Sequence, residues 1–495
     1  MKRLQYTKDE LDRVYERIVR TALSHEKRKR YNRAIATVEK AAKMQYSLNF
    51  IYADERLNGI LREQSIIFYG INESYVGNPN VVLFYDSFAI DNGGLTQQYL
   101  DALVSCTDLS IVYICEEKIK KNGKNILKFL QSHNISYFEL PKDHDGACCV
   151  FKGVIDRLMP GKMFLHTNPY TTVPYLIGYS YPNIKKYKIN LTDHAFWIGG
   201  ADFFNKILEF RDYGATLSIE KRGFNYQQIK IIPFYPWQEE MDFEGFPPIK
   251  QRTLLFSGGA TYKIESKDRV FFKIVEKILD CDEDVAFLYA GNGNMEHLEK
   301  YKHESKHKDR IFYLGFRKDI AQVMRNIDIY LNTYPFAGGL MLQFAATSSK
   351  PILSMRDGSC EALVCTKRNA SFAFDRVDEL VEEASRLIKD KKYREERALF
   401  FHSLISTKDD FKKMVYNKCF STSYDVDEHI NQEKIDYEGV CNMYLNNVNN
   451  GHKQLMIEQN IIRASLMAVN WKMVMNCIVF GSAFLLKRFK IKRNG

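Results

Sequence analysis

The stretch from Leu254 to Pro351 constrains this chain most, because its strand-like runs end one after another in glycines or cations. Thr253-Leu-Leu-Phe256 stops at Ser257-Gly258-Gly259 and passes through Tyr262-Lys263-Ile264 into a helix-like segment, Arg269–Leu279. Ala286-Phe-Leu-Tyr-Ala-Gly291, Arg310-Ile-Phe-Tyr-Leu-Gly315-Phe-Arg317 and Asp328-Ile-Tyr-Leu-Asn332 follow. The last of these leads through Pro335-Phe-Ala-Gly338-Gly339 into another helix-like stretch. Strands alternating with helices predict an open parallel α/β sheet, and such a sheet takes its ligand outside the carboxyl ends of the strands. A nucleotide-type ligand is the expectation.

The rest of the chain repeats the pattern once. Strands are expected at Val81–Tyr85, Leu109–Cys115, Ile135–Leu140, Met163–His166, Tyr187–Leu191 and Ile229–Pro236, with Pro247-Pro248 in a linker. The fold class is therefore α/β, with two Rossmann-like domains. The expected divisions are an N-terminal helical region at 1–77, a first α/β domain at 78–248, a second at 249–400, helices at 401–472 and a tail at 473–495. A chain of 495 residues that is 45% hydrophobic can fill two such cores. The 10 Cys are scattered, and Cys148-Cys149 lacks zinc-ligand spacing, so reduced thiols in a cytoplasmic protein are expected. Met1–Glu10 has no apolar core of the kind a signal peptide carries.

Two features bear on partners. The formal net charge of +10 draws on Lys27-Arg28-Lys29-Arg30 and on the C-terminus, but no zinc finger or RNP1 pattern accompanies it. That basic run reads as a solvated helix face, and no nucleic-acid partner is expected. From Met473 to Leu486 only uncharged residues occur, and Lys487-Arg488-Phe489-Lys490-Ile491-Lys492-Arg493 follows. This run is short of the ~20 residues a bilayer span needs. Three readings stay open: an interfacial helix clamped to anionic lipid, making the protein peripheral on the inner membrane face, a helix packed on the protein, and, third, a true single span.

Candidate chemistry sits at the expected strand exits. A diphosphate is held well by backbone N–H groups at a helix N-terminus together with one or two cations. Gly338 and Gly339 precede a helix, Lys263 and Arg317 supply charge, and Gly258 and Gly259 admit close approach. Asn332, Leu340 and Gln343 complete this donor-side set. In the first domain Asp91-Asn92-Gly93-Gly94 forms a glycine-paired loop on the acceptor side. It is not G-x-G-x-x-G, which disfavours a dinucleotide dehydrogenase. Candidates for a general base are His194 and Asp193, then His166 and Asp91, since a weakly nucleophilic hydroxyl needs its proton removed in the transition state. Asp282-Glu-Asp284 resembles a metal-holding D-x-D but lies at a strand entrance, the wrong edge, so no metal site and no cofactor are expected.

These residues resemble the GT-B glycosyltransferases, which have two Rossmann-like domains facing a cleft. The resemblance spans Asn80 to Lys389. Ile189-Asn-Leu-Thr-Asp193-His194-Ala-Phe-Trp197-Ile-Gly199, followed by Asp202, Arg211 and Lys221-Arg222-Gly223, is similar to a bacterial GT-B motif in which an Asp-His pair precedes Phe-Trp. Phe256–Ile264 resembles the donor-domain stretch of O-GlcNAc-transferase-like enzymes, and the resemblance implies that Lys263 contacts the donor diphosphate and that Gly338 and Gly339 form the phosphate-facing turn. Two departures stand out. No acidic residue lies between Asp328 and Asp357, where many GT-B enzymes place a ribose-binding carboxylate, and Gln343 or Phe344 falls near that place. The Glu-x7-Glu pattern of the large retaining group is also missing, which favours inversion.

The reading that follows is a metal-independent glycosyltransferase. It would move a hexose or N-acetylhexosamine from a nucleoside diphosphate, UDP by resemblance, to a glycan, lipid-linked or protein acceptor. A catalytically silent partner subunit and a UDP-sugar epimerase stay open as alternatives. The sugar, the linkage and the homo- or hetero-oligomeric state are not written in the sequence.

Overall fold

The computed structural model describes residues 4–91, 94–106, 108–116, 119–237, 241–266, 268–293, 295–356, 372–421, 429–432, 434–450 and 471–476. Its contacts divide the chain into two compact units. The first comprises 1–91, 103–231 and 422–495, and the second 92–102 and 232–421.

The first unit opens with three helices, α1 (Lys8–Lys27), α2 (Tyr31–Leu48) and α3 (Glu55–Tyr69). Thr7 and Glu10 exchange bonds with each other's backbone in a capping box that starts α1. Leu11, Val14, Tyr15, Ile18, Val19 and Ala22 recur at helical spacing and form its buried face. These helices share one apolar cluster with residues of the first sheet, including Leu83, Tyr85, Met163 and Leu165. They are thus integral to the first unit, whereas the sequence sets them apart at 1–77.

Seven parallel strands follow: β1 (Asn78–Asp86), β2 (Ser110–Cys115), β3 (Ser136–Glu139), β4 (Pro160–His166), β5 (Lys185–Ile189), β6 (Lys206–Glu209) and β7 (Ile229–Ile231). Their order is β3-β2-β1-β4-β5-β6-β7. Two expectations change. β6 is a strand that the sequence reading lacks, four residues wedged between loops. β7 is shorter than Ile229–Pro236 because Pro233 has no N–H to give to a ladder.

The second unit holds β8 (Thr253–Gly258), β9 (Val285–Ala290), β10 (Ile311–Gly315), β11 (Ile329–Leu331), β12 (Ile352–Met355) and β13 (Ala373–Phe374), in the order β10-β9-β8-β11-β12-β13. In its own numbering the second sheet runs 3-2-1-4-5-6, the doubly wound order, and the first sheet runs in that order with a seventh strand added at its end. Helices cover both faces of the second sheet, and its strands alternate between two cores. Leu255, Phe287, Ile329 and Leu353 point into one, Phe256, Leu288, Tyr330 and Ile352 into the other. Two crossings of the chain differ from the expected domain limits. Residues 92–102 after β1 cluster with the second unit, where Gly94 lies so close to Trp237 that a Cβ on it would come within 2.2 Å of that side chain. The segment 401–421 also belongs to the second unit, while 422–495 returns to the first.

Candidate active site

The carboxyl ends of the two sheets carry opposite chemistry. In the second unit they are glycine-lined backbone. Gly258 closes β8, and Gly259 has φ +148°, which favours glycine. The Gly259 amide donates to the Ala290 carbonyl at 2.9 Å, and the Gly291 amide donates to Gly315 at 2.8 Å. A Cβ on Gly291 would lie 1.8 Å from the Gly259 carbonyl oxygen, so only glycine allows these two strand exits to meet. The Gly291-Asn-Gly293 stretch is thus a backbone packing device as well as a turn.

Lys263 stands in a short 3-10 turn, Thr261–Ile264, just past β8. Its Nζ donates to the Ala337 carbonyl at 2.8 Å, and the Phe336 amide donates back to the Lys263 carbonyl at 3.2 Å. These bonds hold the ammonium beside the start of helix Gly339–Thr347. Asn332 braces the turn from below. Its Oδ1 accepts from the amides of Thr333 (3.0 Å) and Gly338 (2.9 Å), and its Nδ2 donates to Ser354 Oγ at 2.9 Å. Asn332 is buried and positions the loop rather than facing a ligand. The Gly338 amide is thereby occupied, which corrects its expected role as a phosphate donor. The first-turn amides of Gly339 and Leu340 have no intrahelical partner by position. Gln343 is buried within this helix with no hydrogen-bond partner for Nε2.

Arg317 departs furthest from its expected role. Its guanidinium donates to both carboxylate oxygens of Asp319, at 2.7 and 2.5 Å, and to the Gly245 carbonyl at 2.7 Å. Phe243 and Phe246 cover it at 5.6 and 6.0 Å. Its charge is matched within the protein, so it ties the segment around Gly245 to the sheet instead of offering a bare cation.

In the first unit the strand ends are charged and internally matched. Asp86 ends β1 and His166 ends β4, in register with each other. The Asp86 carboxylate lies 3.2 Å from His166 Nδ1 and accepts from Tyr113 Oη at 2.7 Å and the Phe88 amide at 2.9 Å. Burial alone would raise the pKa of Asp86, but His166 and these donors outweigh it and hold it below the usual range. His166 is buried against Phe88 and reads as a structural histidine. Asp91 is not placed as a base either. Its carboxylate accepts from the amides of Asn125 and Ile126, all at 3.1 Å, and caps the helix Lys124–Ser132.

Asp193 and His194 form the remaining pair. Asp193 is fully buried, and Arg211 donates to it through Nε at 2.5 Å and Nη2 at 3.1 Å. His194 Nδ1 approaches Asp193 Oδ1 at 3.2 Å, while the imidazole stays partly exposed. Burial works to raise the Asp193 pKa, but Arg211 and His194 hold it far below the usual carboxylate range. A carboxylate so matched is a poor base. What it can do is orient the imidazole, fixing the proton on Nδ1 and turning Nε2 outward as the acceptor.

Of the layer beneath, the sequence marks Arg222 alone, within the quoted Lys221-Arg222-Gly223 stretch, and misses Glu209 and Lys188. Arg222 donates to the carbonyls of Asp193 (2.6 Å) and Ala195 (2.7 Å) and stacks 5.0 Å from the Trp197 ring. Glu209 ends β6, accepts from Asn190 and Ser218, and is pushed up to about 7 by burial against the pull of Arg222. Lys188, buried with its Nζ on Thr167 Oγ1 at 2.5 Å, is pushed down to about 7. The signal for this layer is the strand Lys185-Lys-Tyr-Lys-Ile189, in which Lys185 is exposed but Lys186 and Lys188 are buried inside a sheet covered on both faces.

Gly93 lies outside the described residues. Asp284 pairs with Arg252 at 2.6 Å at the entrance of β9, as an acidic surface turn would, and among the described residues no cluster of three metal-ligating side chains occurs.

Residues 251–390 match the family Glycosyl transferases group 1. That matched segment lies within the second unit. No curated protein matches the chain. Among solved structures, Anabaena Alr3699/HepE in complex with UDP-glucose is 14% identical with a TM-score of 0.48, covering 68% of this chain and 98% of that one. A glycosyltransferase from Rickettsia africae ESF-5 is 13% identical with a TM-score of 0.48, covering 78% and 100%. A UDP-N-acetylglucosamine 2-epimerase is 12% identical with a TM-score of 0.47, covering 73% and 99%.

Proposed function

We propose that this chain is a glycosyltransferase that takes its sugar from a nucleoside diphosphate, UDP being the one the resemblance implies. The observation that carries the reading is the joining of Lys263 to the Phe336–Gly338 turn inside the segment that matches the group 1 family. A cation and the N-terminus of a nine-residue helix then act on the same small volume, and both favour an anion. In the reaction, Lys263 would exchange its bond to the Ala337 carbonyl for the leaving diphosphate, and the Gly339 and Leu340 amides would share that charge. His194, oriented by Asp193, would receive or orient the proton of the acceptor hydroxyl. The acceptor is a glycan, a lipid-linked sugar or a protein, transfer is inverting, and the residues assigned here need no metal.

The test is direct binding and thermal shift with UDP, GDP and their common sugar conjugates, on wild type and Lys263→Ala. Stabilisation of wild type that falls at least about tenfold in affinity in the variant supports the donor site. No nucleotide binding by folded wild type removes it. Two observations favour a second reading, a silent partner subunit: the matched charge of Arg317 and the amide of Gln343 where a carboxylate was expected. Conversion of free UDP-sugar without acceptor would instead point to an epimerase.

A further inference from the structure

The first unit carries a surface that neither sheet end explains. Helix α3 ends in Ile66, Ile67 and Phe68, which are 43%, 55% and 49% exposed, and Ile71 just beyond its Gly70 cap is 48% exposed. Three isoleucines and a phenylalanine uncovered within six positions are unusual for a face turned to water, where single exposed apolar residues are the norm.

The turn between α1 and α2 lies directly beside them. Phe68 meets Tyr31 edge to face with centroids 5.0 Å apart, and Gln64 of α3 bonds Glu26 of α1. Lys29, Arg30, Tyr31, Asn32, Arg33 and Phe68 line one shallow depression of about 600 Å³. Lys27, Arg28, Lys29, Arg30 and Arg33 place five cations in seven positions, and no acidic residue occurs between Glu26 and Glu39. The crowding is felt by His25, whose pKa is lowered by partial burial and then by Arg30, Arg33 and Arg28.

We propose that the Lys27–Arg33 turn and the exposed end of α3, Ile66–Ile71, together form a docking surface for an anionic lipid membrane. Aliphatic side chains beside a polybasic turn supply the two signals that stable peripheral attachment requires: apolar insertion at the headgroup boundary and attraction to anionic lipid. A nucleic acid fits less well, because base recognition stacks on rings and the exposed side chains here are mostly aliphatic. A second copy of the chain fits less well too, because a two-fold contact would set five cations against five.

The experiment is flotation of the full chain with vesicles of phosphatidylcholine alone and with about 30% phosphatidylglycerol added. Wild type should float with the anionic vesicles and far less with the neutral ones. The double variants Ile67→Ser/Phe68→Ser and Lys29→Glu/Arg30→Glu should each lower partitioning on anionic vesicles at least about tenfold. Both pairs are exposed and are expected to leave the fold intact, which a thermal melt checks, and if one variant unfolds the other decides. The segment 473–495 is present in every arm, so a loss is assigned to the patch. Three outcomes overturn the proposal: no flotation of wild type, equal flotation with neutral vesicles, or flotation of both variants at the wild-type level. Retention on a heparin column by wild type and Ile67→Ser/Phe68→Ser alike, without flotation, would overturn it in favour of a soluble polyanion.

Discussion

The two sheets share one order over their first six strands and differ in what stands at their carboxyl ends. The first unit ends its strands in Asp86, His166 and Glu209, with Asp193 just past β5, all buried and bonded to partners. The second ends them in Gly258, Gly315 and the residues before Gly291 and Asn332, with backbone in contact with backbone. A buried charge fixes geometry because every partner must be kept. A glycine-lined exit fixes nothing by itself, but it leaves room for a ligand to reach amides. One unit thus holds a preset polar network with a single partly exposed imidazole, and the other a backbone cradle with one lysine.

The largest effect should come from breaking the preset network. Arg211→Leu leaves the Asp193 carboxylate buried without its bidentate partner, which typically costs about 3–5 kcal/mol. Urea denaturation should show that loss in the transition of the first unit. A cost under about 1 kcal/mol would mean that the pair behaves as an exposed one.

The counterpart in the cradle is Gly291→Ala. Its methyl group meets the Gly259 carbonyl, a backbone atom that cannot swing aside, so the exits must separate. Overpacking of this kind costs about 1–3 kcal/mol. Nucleotide affinity should fall with stability here, because the Gly259 loop leads into Lys263.

How legible each region was follows from the same difference. The cradle could be read because glycines and cations at strand exits leave a local mark, and Gly258, Lys263 and the turn at Gly338 appear where the sequence put them. Its finer roles could not. Asn332 and Arg317 are polar residues at the right edge, yet each is engaged by a neighbour distant in sequence, Ser354 and Gly245 respectively. The network of the first unit was legible at Asp193 and His194, which are adjacent, and at Arg211 and Arg222 only through the resemblance that quotes them. Glu209, Lys188 and Arg222 converge through tertiary packing, and β6 is too short to announce itself by alternation. Asp91 shows the reverse error, since a carboxylate at a strand exit serves equally well to cap the helix across from it.

Within the network, Lys188 and Glu209 give a pH signature. Lys188 is depressed from 10.5 to about 7, so the unfolded chain binds its proton more readily between those values. Its contribution to stability is therefore present above 10.5 and lost as pH falls through about 7. Glu209 is raised from 4.5 to about 7, and its contribution is present below 4.5 and lost as pH rises through about 7. Lys188→Met should raise Tm by a few degrees at about pH 6, offset in part by the lost bond to Thr167, with the gain shrinking toward about pH 10. A gain that is constant with pH would show that Lys188 is not the titrating group.

The smallest effect on stability, and the sharpest contrast, is expected at Gly338→Ala. A Cβ there meets Thr333 Oγ1 at 3.4 Å, Asn332 Oδ1 at 3.5 Å and Met341 Cβ at 3.6 Å, all ordinary contacts, and its φ of −104° suits any residue. Stability should therefore stay within about 0.5 kcal/mol of wild type. If a diphosphate packs against this turn, the added methyl occupies the approach to the Gly339 and Leu340 amides, and nucleotide affinity should fall about tenfold or more while the melting curve barely moves. That separation distinguishes this turn from Gly291, where binding and folding should fail together. Unchanged affinity in Gly338→Ala would move the anion away from the helix N-terminus and leave Lys263 to be tested as the sole contact.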